Sequence, residues 1–279
     1  MASYLPAMPD ARRVRSYVFR LPLATRGLAL IITGFYIAKV VAGPWLIQWG
    51  AVIPNEITLQ TLHRMNTFPL LHTNFFHYIL NLIALVPLLE RFESEHGTIT
   101  TFLLFTGPFG LIPGGLYTII ERFILHMNTS IVGSSIWVFL LLANESVKTY
   151  RQNPNFEILD YKIPTWTTPL FLIVVIWVLV PGTSLLGHLC GALVGYGWGT
   201  GYIRFLAPHD KILRWIEGKL NLLGRLPHYV SVDQKTYGRY GVLPSTNASS
   251  PLIGPGRGTL GAVNGVAIGP VGSTQRLGP

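Results

Sequence analysis

Four polar residues sit in stretches otherwise suited to a membrane interior, and their types match acyl-transfer chemistry. Ser135 lies near the start of the apolar run 131–143, directly after Gly133 and Ser134. His188 falls in the apolar segment 185–205, three residues before Gly191 and seven before Gly195. His77 and Asn81 share a third apolar segment, 74–89, four residues apart and so on one helical face. Polar and ionisable groups are costly in lipid, so this set asks for a function.

A serine hydroxyl becomes a nucleophile when a base within hydrogen-bond reach takes its proton, and neutral imidazole is efficient at physiological pH. Ser135 is expected to be the nucleophile and His188 the general base and acid. No Asp or Glu lies at the same depth in the three segments, so a dyad suffices. The backbone N–H of Ser135, His77 and the Asn81 amide are expected to stabilise the oxyanion. Gly133 leaves room for a neighbouring backbone or a substrate beside Ser135. Phe139, one turn beyond Ser135, is expected to pack flat against the His188 ring. Gly187, Gly191 and Gly195 read as a small-residue ridge packing closely on the serine helix.

Plainer readings exist for each part. Membrane serines usually bond back to their own helix carbonyls, Gly-xxx-Gly steps mostly serve packing, and His77 alone reads as a helix cap. Ser134 is an alternative nucleophile. A metal site of His72, His77, His188 and Cys190 is the other chemistry considered. Cys190 points away from His188 on a helix and no acidic base accompanies the set, so no metal or cofactor is expected.

These residues need membrane helices to hold them, and the composition supplies such helices. Of 279 residues 49% are hydrophobic and 12% charged, with mean hydropathy +0.42, against about 25% charged in soluble domains. Six spans are expected, at 27–47, 74–89, 99–120, 131–143, 167–179 and 185–205. The first is read as a retained span, not a cleaved signal. Gly43-Pro44 ends it, and loop 48–71 reads as short interfacial helices. Gly107-Pro108 and Pro113-Gly114-Gly115 break the third. The fourth is shorter than the ~20 residues that cross a bilayer core, and a polar connector, 144–166, follows it.

On this reading 1–26 is a basic N-terminus in which Asp10 and the prolines disfavour an amphipathic helix. Residues 27–206 are the catalytic core, 207–240 a membrane-surface segment with an amphipathic helix at 211–226, and 241–279 a flexible tail. With a cytosolic N-terminus, eighteen of the 21 Lys and Arg residues are cytosolic, against Arg64 and Arg122 outside. Both termini are then cytosolic, and the net charge of +9 needs no nucleic-acid partner. His77, Ser135 and His188 each fall roughly 5–6 Å below the outer interface at 1.5 Å per residue. The lone cysteine, Cys190, excludes an intrachain disulfide.

Taken together, His77-xxx-Asn81, Gly133-Ser134-Ser135 and His188-xx-Gly191, in the second, fourth and sixth spans, resemble the rhomboid family of intramembrane serine proteases. His72 matches a further histidine of that family. The resemblance covers about residues 20–206. It implies an all-α bundle of six transmembrane helices around a lumen-facing polar cavity, a Ser–His dyad, and cleavage of single-pass membrane proteins near their helix ends. The basic core and long tail look like the fungal Golgi group, which implies activation of a membrane-bound sterol-responsive transcription factor. Three features depart from the pattern. Ile136 replaces a glycine, which is expected to loosen packing of the serine helix. Phe139 replaces a frequent tyrosine, and a Trp-Arg pair of the first lumenal loop is missing. The alternative is a weak or inactive rhomboid-like adaptor in membrane-protein degradation. Residues 272–278 resemble part of a box that binds the AAA segregase valosin-containing protein.

Overall fold

The computed structural model describes residues 11–158 and 160–235. Its elements are almost all helical. A basic helix α1 (Ala11–Arg20) precedes α2 (Leu23–Ala42), and the short helices α3 (Trp45–Gly50) and α4 (Arg64–Thr67) follow. Then come α5 (Phe75–His96), α6 (Thr98–Phe105), α7 (Pro108–Ile119) and α8 (Ser135–Gln152). An antiparallel hairpin, β1 (Asn155–Ile158) and β2 (Tyr161–Pro164), leads to α9 (Thr168–Leu179) and α10 (Leu185–Thr200). Helices α11 (Asp210–Leu220) and α12 (Leu222–Arg225) close the described chain. Among the described residues, three helical stretches are long and apolar enough to cross a membrane: Leu23–Ala42, Phe75–His96 and Thr98–Ile124.

Local chemistry sets the ends. Helix α2 stops where Gly43 takes a φ of +78° and its N–H reaches the Lys39 carbonyl, a conformation glycine adopts without a Cβ penalty. Pro44 then prevents continuation. The Asn74 side chain caps α5 by accepting the His77 N–H at 2.8 Å. Gly107-Pro108 separates α6 from α7, as proline loses an N–H and restricts the residue before it. Loop 48–71 does form short helical turns.

Several expected boundaries move. The fourth apolar run is not one helix: 131–134 is non-helical, with Ile131 bridged to Val52 and a bend at Gly133, and α8 begins at Ser135. That helix continues through Gln152 because Asn144 and Glu145 are buried in the bundle rather than turned to solvent. Lys148 bonds both Glu145 and Glu95. The polar connector is therefore part helix and part hairpin. Asn221 adopts a left-handed conformation (φ +47°) and splits the expected surface helix 211–226 into α11 and α12. At the N-terminus the disfavoured helix does form, as α1.

Helix α8 packs on α10 along glycines. A Cβ on Gly191 would meet the Ile136 carbonyl and one on Gly195 the Leu140 carbonyl, while Gly199 sits 3.3 Å from the Asn144 Cα by the same measure. Gly187 instead faces Ser184 and Ile131, so the ridge is Gly191, Gly195 and Gly199. At Gly191 the Ile136 side chain also borders the seam, since the same Cβ would lie 3.0 Å from its Cγ1. Behind α8, Trp137 donates to the Phe109 carbonyl at 3.0 Å, beside the packed rings of Phe92, Phe105, Phe109 and Trp198.

At the far end of α5 the buried Glu93 carboxylate accepts from the Ala24 and Thr25 N–H groups at 2.8 and 2.7 Å and from the Thr98 hydroxyl at 2.7 Å. It thereby caps α2 from another helix. Residues 241–279, with the segregase-like box, lie outside the described residues.

Candidate active site

The non-helical segment 131–134, which bends at Gly133, delivers Ser135 to the first position of α8. Two pairings with the first loop hold that segment: Ile131 exchanges backbone bonds with Val52 at 3.0 and 3.1 Å, and the Gly133 N–H donates to the Phe68 carbonyl at 2.9 Å. Because the helix starts at Ser135, the N–H groups of Ser135 and Ile136 have no intrahelical acceptor, while those of Trp137 and Val138 go to the Ser134 carbonyl. Ser135 is the first residue of its helix, His77 the third and His188 the fourth. The serine is thus nearer the helix end than the sequence suggests.

His188 Nε2 lies 3.1 Å from Ser135 Oγ. The Phe139 ring packs against the His188 ring with centroids 4.4 Å apart and planes tilted by 39°, so the contact is oblique rather than flat. Ser184 caps α10 by accepting the Gly187 N–H at 3.0 Å, fixing the turn that carries His188. Asn74 does the same for His77 on α5. Neither cap was singled out by chemistry, though each is a capping residue type three positions before its partner, a signal readable in sequence.

His77 fills the space that a side chain at position 133 would take. A Cβ there would sit 2.7 Å from His77 Cε1 and Nε2 and 3.8 Å from Ser135 Oγ. Gly133, at φ +119°, therefore admits the His77 ring beside the serine. Thr73 Oγ1 lies 3.3 Å from His77 Nδ1. The Asn81 amide donates to the His77 carbonyl at 2.8 Å, one turn deeper.

A second serine–histidine pair stands alongside. His72 Nε2 is 3.1 Å from Ser134 Oγ, and both residues are fully buried. Ser135, His188, His77, Asn81 and Gly133 line a cavity of about 1000 Å³, and His72 and Ser134 are not among its lining residues. Its other walls come from α5 down to Arg91 and from Leu172, Ile176 and Val180 near α9. Cys190 is buried on α10, in the core rather than the cavity.

Residues 59–205 match the family model for the rhomboid domain. The chain belongs to the rhomboid family. It is 55% identical over 97% of its length to Rhomboid-type serine protease 2 of Neurospora crassa, covering 95% of that protein. It is 51% identical over 99% of its length to Rhomboid-type serine protease B of Aspergillus fumigatus, covering 98% of it. Rhomboid-type serine protease 2 of Saccharomyces cerevisiae is 32% identical, over 88% of this chain and 97% of the yeast protein. This rhomboid is an integral, multi-spanning membrane protein. It hydrolyses peptide bonds in membrane-protein substrates through a serine–histidine pair, and both serines that have a histidine partner lie inside the matched region.

Proposed function

We propose that Ser135 and His188 are the pair that carries the reaction. Ser135 lines the cavity with its hydroxyl 3.1 Å from the His188 imidazole, whereas Ser134 is buried away from it. This observation carries the assignment. His188 Nε2 takes the hydroxyl proton as Ser135 Oγ attacks the scissile carbonyl, and then gives that proton to the leaving amine. Water, activated by the same imidazole, releases the acyl group from Ser135 and restores the proton to its oxygen. The N–H groups at the start of α8, with His77 and Asn81, hold the developing oxyanion.

The cavity reaches the walls of both α5 and α9, and exposed Phe76 and Leu80 flank it on α5. An apolar substrate segment entering there places its bond beside Ser135, where His77, Asn81 and His188 give the cavity a polar wall for water. Six spans with both termini cytosolic account for the distribution of Lys and Arg. The resemblance to the fungal Golgi group supports a Golgi enzyme that activates a sterol-responsive transcription factor, with residues 272–278 recruiting a segregase.

The deciding experiment compares Ser135→Ala, Ser134→Ala and His188→Ala on a transmembrane reporter in liposomes. Loss of the nucleophile lowers turnover by about 10³-fold or more. Activity kept in Ser135→Ala and lost in Ser134→Ala would move the site to the buried pair. For the cellular role, a chain cut at residue 265 keeps reporter cleavage and loses segregase pull-down. Undiminished pull-down removes the box from consideration.

A further inference from the structure

The serine helix is capped unlike its neighbours. Ser134 is the residue before α8, where a serine side chain ordinarily accepts from the second or third helical N–H, here Ile136 or Trp137. The hydroxyl makes no such bond. The Trp137 and Val138 N–H groups go to the Ser134 carbonyl at 2.9 and 3.1 Å. By contrast, the caps of the other two helices bearing site residues do use their side chains, Asn74 on His77 N–H and Ser184 on Gly187 N–H.

Two things differ at Ser134: its backbone (φ −74°, ψ 0°) is not extended as those of Asn74 and Ser184 are, and its hydroxyl is engaged by His72. His72 Nε2 is 3.1 Å from Ser134 Oγ and 3.4 Å from Ser134 N. With the proton on Nδ1, this nitrogen accepts from both groups of the same residue. His72 is fully buried and fixed by the edges of His77 and Tyr78, at centroid distances of 5.0 and 5.9 Å. The Ser134 hydroxyl is thus drawn away from the mouth of the helix.

We propose that His72 is a positioning residue: by engaging the Ser134 hydroxyl it prevents that side chain from capping α8, and leaves the Ser135 and Ile136 N–H groups free to bind the oxyanion. This rests on Ser135 being the nucleophile. A Ser134 hydroxyl that turned to the Ile136 N–H would occupy that donor, and a donor so occupied contributes nothing to the transition state. His72 never touches substrate. The effect that passes through Ser134 is relieved by removing the hydroxyl His72 restrains, whereas any that passes through the packed His77 ring is not.

The test uses the full-length protein in liposomes with His72→Phe, Ser134→Ala and the double variant. It measures kcat and KM on a peptide substrate, and the rate of covalent capture by a fluorophosphonate, whose oxygen occupies the oxyanion position. His72→Phe lowers kcat and capture by about 10 to 10³-fold, with KM within about threefold. Adding Ser134→Ala restores at least about tenfold of that loss, and Ser134→Ala alone stays within about threefold of wild type. A double variant no better than His72→Phe would overturn the proposal, since a packing role gives no rescue. If His72→Phe does not accumulate, His72→Asn, too short to reach Ser134, takes its place and is compared with the longer His72→Gln. Asn is then impaired and rescued by Ser134→Ala, while Gln keeps activity within about tenfold of wild type; equal activity of the two sinks the idea. Activity retained in Ser135→Ala would instead refute the dyad assignment, whatever the double variant shows.

Discussion

Gly191 of α10 lies against the carbonyl of Ile136 on α8, one residue past the proposed nucleophile. His188 is three residues before that contact, so the helix spacing at Gly191 sets the reach of the imidazole to Ser135. Forcing a side chain into this seam costs about 1–3 kcal/mol. Gly191→Val and Gly195→Val are expected to lower the unfolding midpoint and to cut activity further than the stability loss explains. Gly115, with open space at its Cβ position, is the control, and Gly115→Ala is neutral or stabilising by up to ~1 kcal/mol. Thermal unfolding in detergent distinguishes them, and an unshifted Gly195→Val midpoint would contradict the seam.

Phe139 walls one side of the His188 ring. Phe139→Ala frees the imidazole to turn from Ser135, and misplacement of about 1 Å can lower turnover about 10²-fold. KM stays near wild type, because the substrate is held elsewhere. Phe139→Tyr keeps the wall and is expected to stay within about fivefold of wild type. Steady-state kinetics on one reporter decides, and equal activity of the Ala and Tyr variants would remove Phe139 from the argument.

Asn81 donates to its own helix at the His77 carbonyl in the resting state, and a modest χ rotation turns the amide toward the cavity it lines. Asn81→Ala is expected to lower kcat by about 10 to 10³-fold with little change in KM. Normal turnover with weakened binding would make Asn81 a substrate contact instead.

Serine, histidine and asparagine were visible in sequence because each stands alone among apolar residues. The capping residues Asn74 and Ser184 carry a readable signal too. What stayed hidden depends on distant partners. Ile131, Val132 and Gly133 look like helix residues, and only pairings far away in the chain, Ile131 with Val52 and Gly133 with Phe68, hold them out of the helix. Asn144 and Glu145 look like the end of a span, yet Lys148 and the opposed Glu95 carry α8 through them. The small-residue ridge was legible as a pattern, but its phase was not. Gly187 and Gly199 both fit a four-residue step, and only the position of α8 selects Gly199.

Within the segment 207–240, expected at the membrane surface, residues 227–235 tie the bundle together at the end far from Ser135. The His228 carbonyl accepts the Leu23 N–H at 3.0 Å, and the Val230 carbonyl accepts the Thr98 N–H at 2.9 Å. Orphan donors at the starts of α2 and α6 are thus satisfied. Thr98 Oγ1 in turn accepts the Val230 N–H at 2.8 Å. Glu217 of α11 accepts from the Tyr229 hydroxyl at 2.8 Å and the Val232 N–H at 3.0 Å. Burial and the neighbouring Glu217 carboxylate push the Tyr229 phenol far above its usual pKa, so it remains a donor at any working pH. Tyr229 and Val232 are themselves buried. Two helix caps at about 1 kcal/mol each and two buried side chains at about 1.5–3 kcal/mol each place the contribution on the order of 5 kcal/mol. A chain ending at 235 is therefore expected to unfold at the wild-type midpoint and one ending at 226 well below it. Glu217→Gln, which weakens the charge-assisted bonds but keeps the shape, falls between them by about 1–2 kcal/mol. Because the strap fixes the starts of α2 and α6, and Thr98 in turn bonds Glu93 at the foot of α5, whose other end carries His77 and Asn81, the 226 chain loses reporter cleavage at temperatures where the 235 chain still works. Matching unfolding midpoints for the two truncations would show that these bonds are not a fixed part of the fold.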